Sequence, residues 1–291
     1  MSVIVFGGMG FVGIPLIRSL QNKQSIKIMI HENDTCDLSV QKFSGDLLKS
    51  DSFIENLEEN DIVVNLVGQI STDYSKLVRA NIDGGLNLLN ACIKKKVKKI
   101  ILISSINVYG ENLERPSLES DPLKPETNYG HVKMLTEMMY KHFAERYDLD
   151  ITILRLANLY GENKKAGFVS KLLNSINSPN EKLKPHNFGN QEMDVLHIDD
   201  AVNGIIKAIN TNLNGFHIIN ISSGMKYSIK QMIKIIEKIS KKQMLIEYVE
   251  QRDAEICIWA NNMKAKKILN FEPNLPIEEG FRLTIQSILK N

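Results

Sequence analysis

The stretch Val3-Ile4-Val5-Phe6-Gly7-Gly8-Met9-Gly10-Phe11-Val12-Gly13 decides the fold of this 291-residue chain. Its four leading apolar residues read as a strand buried on both faces, and a helical pattern follows at once over Phe11 to Gln21. Between them, glycine at 7, 10 and 13 permits a tight turn. It also lets backbone N–H groups approach a pyrophosphate and lets helix pack closely on strand. The N-terminus of that helix would face the phosphates with its partial positive charge. A tight strand-to-helix turn could use the same glycines, but their place in the first βαβ unit favours a nucleotide.

Working outward, the β-branched run Ile26 to Ile30 and the apolar runs Ile62 to Val67, Ile100 to Ser104 and Ile151 to Leu156 are bounded by polar segments. They alternate with helical stretches at Tyr74 to Lys95 and Asn128 to Tyr147, a pattern that predicts right-handed βαβ units and a parallel sheet. The expected fold is therefore α/β, a Rossmann-type doubly wound parallel sheet over residues 1–157. A smaller mixed α/β lobe is expected over 158–291, with a strand or helix of it able to return to the first domain. The lobe is marked by longer loops such as Asn177 to Asn190, with Pro179 and Pro185, and it is expected to pack where the strands end.

Lys plus Arg number 36 and Asp plus Glu 34, a net charge of +2 that argues against nucleic acid as the partner. The basic run Lys94 to Lys99 closes a helical pattern, where cations complement the helix C-terminus. Cys36, Cys92 and Cys257 form no CxxC pair and leave an odd count, so neither a disulfide framework nor a zinc site is expected. No metal spacing occurs among the six histidines. Asp199 and Asp200 precede an apolar helix and are expected to serve its first turn. The absence of a signal-like N-terminus and of a bilayer-length apolar run points to the cytoplasm and away from the membrane.

Tyr129-Gly130-His131-Val132-Lys133 sets tyrosine and lysine four residues apart on one helical face. Upstream, Ser104 and Ser105 end the buried strand that begins at Ile100. A hydroxyl at a strand end, near a helix bearing tyrosine and lysine, offers a proton donor with its own tuning group. Tyrosine ordinarily titrates near pH 10, so acting near neutrality requires about 4 kcal/mol of help. Lys133 and a positively charged nicotinamide ring are the expected sources. Counting on from the glycines, His31 stands after the second strand where a ribose-binding acid is usual, followed by Glu32 and Asn33. The choice between NAD and NADP is therefore open, with NADPH slightly favoured. Asp46, after the third strand, is placed either to accept from an adenine amino group or to cap a helix.

In these motifs together the chain resembles the NAD-dependent epimerase/dehydratase family of extended short-chain dehydrogenases. The family's GxxGxxG is Gly7, Gly10 and Gly13, and its Asn-x-x-Gly helix start is Asn81 to Gly84. Its SSxxVYG is Ser104 to Gly110, and its loop pattern before YGxSK is Asp121 to Pro125, leading into Tyr129 to Lys133. Its LRxxNxYG is Leu154 to Gly161, its VDD element His197 to Asp200, and its late RxGD-like element Arg252-Asp253. The resemblance implies cofactor contacts from the glycines with Phe11 and Val12, from His31, Asp46 and Leu47, and from Val67 and Asn81. It implies that Ser105 bonds the reacting sugar oxygen, that Tyr129 exchanges its proton, and that Lys133 holds the cofactor ribose. Asn158 and Arg252 would meet a nucleotide-sugar substrate.

Two departures restrict the chemistry. Family dehydratases carry Asp-Glu after the catalytic hydroxyl, where this chain has Ile106 and Asn107, so elimination of water lacks its acid and base. Met193 stands where many members carry an arginine that grips the nucleotide pyrophosphate. The expectation is an NAD(P)-dependent reductase of a nucleotide-linked 4-keto (6-deoxy)hexose. A 4-epimerase working through a transient ketone is the alternative, and a non-catalytic NAD(P) sensor or scaffold is a third. A homodimer is expected, built on the apolar stripe Val132, Leu135, Met139 and Phe143 of one helix with the Tyr74 to Lys95 helix beside it.

Overall fold

The computed structural model describes residues 1–31, 37–68, 71, 73–112, 114–164, 166–178, 182–250 and 257–290. Strands β1 (Val3–Phe6), β2 (Ile26–Ile30), β3 (Gln41–Ser44), β4 (Ile62–Asn65), β5 (Lys99–Ser105) and β6 (Asp150–Leu156) alternate with helices. The helices are α1 (Gly13–Leu20), α2 (Tyr74–Val78), α3 (Gly84–Lys94) and α4 (Asn128–Tyr147). The remaining elements, in chain order, are β7 (Asn158–Tyr160), α5 (Phe168–Asn174), β8 (Glu192–Met193), β9 (Val195–His197) and α6 (Ile198–Asn210). They continue with β10 (Phe216–Ile221), β11 (Tyr227–Ser228), α7 (Ile229–Ser240), α8 (Met263–Leu269) and α9 (Ile277–Lys290).

A seven-stranded sheet runs in the order β10-β6-β5-β4-β1-β2-β3, with every pairing parallel. This is the Rossmann-type doubly wound sheet, and β10, from beyond residue 158, forms its far edge on β6. Because side chains alternate along a strand, β1 sends Val3 and Val5 to one face and Ile4 and Phe6 to the other. The first face packs on α1, α6 and α8, the second on α3 and α4. A third cluster, built from Tyr160 with α5, α7 and α9, is the core of the smaller lobe.

Strand β4 ends at Asn65, two residues short of the expected Val67, because the Val67 N–H turns back to the Asn65 side-chain oxygen at 3.0 Å. The stretch expected as one helix from Tyr74 to Lys95 is interrupted between α2 and α3 by a π-helical turn, Arg79–Asp83. At the start of α6 the cap is His197, which accepts from the Asp199 N–H at 3.2 Å. Asp199 and Asp200 do sit in the first turn, and Asp200 binds the Asn274 and Leu275 N–H groups.

Of the expected interface stripe on α4, Leu135, Met139 and Phe143 are only partly buried within the chain. Val132 is wholly buried within the chain, and Met139 and Phe143 pack against the core under the sheet. The helix carries apolar residues on more than one side, so periodicity alone does not choose between inward and outward. The exposed apolar residues of α4 are Met138 and Tyr147. Among the described residues no helix is long and apolar enough to cross a membrane, and Cys92 and Cys257 are free thiols.

Between sheet and α4 lies a buried ion pair. Arg155 on β6 donates to Glu137 on α4 through Nε at 3.0 Å and Nη2 at 2.6 Å, with both side chains almost fully buried. Arg155 Nη1 also donates to the Tyr109 hydroxyl at 2.8 Å, which in turn donates to the Asn220 amide oxygen on β10. Arg155→Met leaves the Glu137 carboxylate buried without its counter-ion and is expected to cost about 3–5 kcal/mol. The loss reads as a lower urea midpoint at unchanged slope. Adding Glu137→Leu is expected to recover only part of it, since it removes the stranded carboxylate but also the charge that supports buried Lys133 and the acceptor of Ser104. A single-variant loss below about 1 kcal/mol would deny the pair this role.

Candidate functional site

The carboxyl ends of β1, β4, β5 and β6 open on a cleft of about 370 Å³. It lies where the strand order reverses between β1 and β4, the place where open α/β sheets take ligands. Its floor is the glycine loop, closed by a bond from the Gly10 N–H to the Gly7 carbonyl at 3.1 Å. A Cβ on Gly13 would stand 2.4 Å from the Gly8 carbonyl oxygen, so only glycine lets α1 begin this close to the strand. No side chain caps α1, and although the Ile14 N–H is taken by the Gly10 carbonyl at 3.1 Å, the positive end of the helix faces the loop.

The side chains of Ser105, Tyr129 and Lys133 converge by two local devices. Ser104 and Ser105 end β5 facing opposite ways: Ser104 Oγ donates to Glu137 at 2.5 Å, while Ser105 lines the cleft and accepts from the Asn107 N–H at 3.2 Å. Thr127 caps α4 by accepting from the Gly130 N–H at 3.0 Å. A Cβ on Gly130 would lie 2.4 Å from the Asn107 carbonyl oxygen, so the missing side chain lets α4 start directly against the turn after β5. The Tyr129 phenol is thereby brought beside the Ser105 hydroxyl, which favours its ionised form. One turn on, Lys133 Nζ donates to the Ile103 carbonyl at 3.0 Å and lies 5.9 Å from the centre of the Tyr129 ring.

Burial dominates the electrostatics. It pushes the Tyr129 phenol up to about 12, against the pull of the Ser105 hydroxyl beside it. It lowers Lys133 to about 8, against the supporting charge of Glu137. The expectation that Lys133 draws the phenol down is not met by the protein alone. The ammonium is itself penalised by burial and lies 5.9 Å from the centre of the phenol ring.

A nicotinamide dinucleotide fits this site on observations of the chain itself. The loop excludes side chains where a pyrophosphate would lie, and α1 is uncapped. Asn81, turned inward by the π-helical turn, has a buried side-chain oxygen with no partner. That oxygen flanks Gly68, where an added Cβ would also meet Lys133 Nζ at 2.9 Å. A wider groove of about 760 Å³ lies outside the loop, between α1 and α9, and holds neither Ser105, Tyr129 nor Lys133.

Of the residues singled out in the sequence, Gly7, Gly10, Phe11, Val12 and Gly13 line the cleft together. Ser105, Tyr129, Lys133 and Asn158 line its other side. Val67 lies behind Gly7. His31 and Asp46 follow β2 and β3 at the same end of the sheet but do not line this cleft, and Asp46 accepts from the Leu48 N–H at 2.9 Å in a local turn. Leu47 turns its side chain into the core and its carbonyl accepts from Asn87, so it offers the cleft no side chain. Arg252, with Glu32 and Asn33, lies outside the described residues.

Residues 3–222 match the model of the NAD-dependent epimerase/dehydratase family. The chain belongs to that family. Relatives within it differ in reaction. The chain is 28% identical to dTDP-D-glucose 4,6-dehydratase of Mus musculus, over 94% of its own length and 77% of the relative's. The solved structure of UDP-glucose 4-epimerase from Thermotoga maritima with UDP-glucose superposes with a TM-score of 0.91 at 26% identity, covering 100% of this chain and 99% of that one. A variant of UDP-glucuronic acid 4-epimerase from Bacillus cereus, in complex with UDP-4-deoxy-4-fluoro-glucuronic acid and NAD, gives 0.90 at 25% identity over 100% and 99%. The family's chemistry is thus modification of nucleotide-linked sugars.

Within this epimerase/dehydratase frame the departures fall at the site. Ile106 is buried in the core, while Asn107 and Met193 line the cleft. Asp194, next to Met193, is fully buried and binds Ser223 and the Ala260 N–H, pinning β10 and the chain before α8. Sequence reasoning missed the Glu137 and Arg155 pair, the close approach at Gly130 and the cleft lysine Lys164. Glu137 alone had a usable signal, one helical turn after Lys133 on the same face.

The buried amine has a measurable consequence. Lys133 titrates near 8 in the folded protein against an ordinary 10.5. Between those values the unfolded chain binds more protons than the native one, so native stability rises with pH across that window. Relative to Lys133→Met, the wild type is expected to gain about 2 kcal/mol as pH goes from about 8 to about 10. Urea midpoints of both proteins at the two pH values measure it, and parallel pH profiles would refute it.

Proposed function

We propose that this chain is a nucleotide-sugar 4-epimerase, which inverts C4 of a linked hexose through a transient ketone with NAD as resident cofactor. The observation that carries the reading is the make-up of the cleft. A Tyr129–Ser105 hydroxyl pair stands over buried Lys133, and no carboxylate is among the described lining residues. Such a site can pass one proton to or from a carbinol oxygen, but it has no separate acid and base with which to eliminate water. A bound nicotinamide ring supplies the hydride exchange and, when oxidised, a positive charge.

The chain's own residues divide the remaining work. Ser105, held by the Asn107 N–H, orients the sugar oxygen and relays its proton. Tyr129 gives and takes that proton, and Lys133 bonds the cofactor ribose and adds charge beside the phenol. Asn158, fixed by its amide bond to the Asp194 carbonyl at 3.0 Å, stands on the sugar side. The two 4-epimerase structures, one with a UDP-sugar and one with a UDP-sugar analogue and NAD, support a uridine nucleotide and NAD. His31 in place of an acid after β2 supports a second reading, reduction of a 4-keto sugar with NADPH.

Purified protein incubated with NAD and UDP-glucose, UDP-N-acetylglucosamine or UDP-glucuronic acid is expected to yield the C4 epimer by proton NMR. A deuterium placed at C4 should be retained, because the hydride returns to the carbon it left. Label retention with no net cofactor change supports inversion. Stoichiometric oxidation of NADPH by a nucleotide-linked 4-keto-6-deoxyhexose, without epimer formation, establishes the reductase instead. Tyr129→Phe is expected to lower turnover about 100-fold or more with NAD affinity within a few fold. Unchanged turnover would end this mechanism.

A further inference from the structure

Lys164 has no function in the scheme above, yet it stands in the same cleft. It follows β7 and Gly161, in the lobe, and reaches back so that its Nζ lies 4.5 Å from the centre of the Phe11 ring. Phe11 is part of the glycine loop, two residues before Gly13, where α1 starts without a side-chain cap. Burial lowers the lysine's pKa, and no carboxylate among the described residues acts to raise it. A half-buried cation without a counter-ion is costly, and contact with an aromatic face returns only about 0.5–1 kcal/mol at a partly exposed site.

The charge inventory of the cleft points the same way. Its cationic described residues are Lys133 and Lys164. Lys133 is occupied by the Ile103 carbonyl and lies beside Tyr129, at the reacting end. Met193, standing where the family resemblance implies a gripping arginine, contributes no charge. A diphosphate entering this cleft therefore meets one unpaired ammonium, held at the loop where the positive end of α1 already favours an anion.

We propose that Lys164 is the diphosphate-binding cation of the cleft, seated over the pyrophosphate of a dinucleotide laid along the glycine loop. In that position it ties the lobe to the sheet when the cofactor is bound. The inference rests on the proposed nucleotide chemistry. A sugar nucleotide carries the same diphosphate, and the adjacency to Phe11 assigns the lysine to the dinucleotide.

Isothermal titration of NAD, ADP-ribose and UDP into wild type, Lys164→Gln and Lys164→Arg tests this. Lys164→Gln is expected to weaken NAD and ADP-ribose by about ten-fold or more, to flatten the salt dependence of their binding, and to leave UDP unchanged. Lys164→Arg should return both to within a few fold of wild type, and ligand-free Lys164→Gln should melt no lower than wild type. Weaker UDP binding with ADP-ribose unchanged would move the lysine to the substrate's diphosphate and overturn the assignment. Unchanged affinities in Lys164→Gln, with wild type binding normally, would overturn this inference alone. A wild type that binds neither NAD nor ADP-ribose would overturn the functional reading with it.

Discussion

Three charges share one buried layer under the cleft, and the geometry of the site depends on their mutual neutralisation. Glu137 lies between Lys133, one turn before it on α4, and Arg155, across on β6. Its carboxylate takes two nitrogens of the guanidinium and the hydroxyl of Ser104. A lone charge at this depth would cost several kcal/mol, so each member holds the others in place. Ser104 is thereby fixed, and Ser105 after it must face the opposite way, into the cleft. The same carboxylate supports the ammonium of Lys133 against burial. Proton chemistry at the surface of the sheet is thus prepared by ion pairing inside it, and Asn220 at the end of the chain of bonds carries the constraint to the edge strand β10.

Much of this architecture was legible from short-range pattern. A strand buried on both faces, a turn of glycines and a helix can be read without tertiary knowledge, because each feature is dictated within about ten residues. The YxxxK spacing and the hydroxyls ending β5 were legible for the same reason. What escaped depends on contacts between segments far apart. The π-helical turn at Arg79–Asp83 leaves no mark in periodicity, yet it aims Asn81 inward. Leu47, a cofactor contact by the family resemblance, has its side chain in the core under Gly84, a placement set by contacts distant in sequence. The division of the α4 stripe between core and outer face is likewise hidden, because an apolar face awaiting the sheet and one awaiting a partner have the same period. Lys164 lies in a polar stretch with no pattern, and only the fold brings it to Phe11.

The cleft also shows why membership of the family leaves the reaction open while the residues narrow it. Epimerases and dehydratases share a fold, a glycine loop and a tyrosine with its lysine, and they differ in what surrounds the carbon next to the oxidised centre. In this chain the residue after Ser105 is Ile106, wholly buried in the core on the α1 side of the sheet. No rotation of that side chain could bring chemistry to the sugar. Asn107 does reach the cleft, but an amide neither gives nor takes a proton near neutrality. On the epimerase reading proposed above, a ketone formed at C4 would have no group among the described lining residues, other than the Tyr129 and Ser105 pair, with which to exchange protons at a neighbouring carbon. Return of the hydride would then be the route left to it, with the stereochemical outcome set by the face of the sugar turned toward a bound nicotinamide.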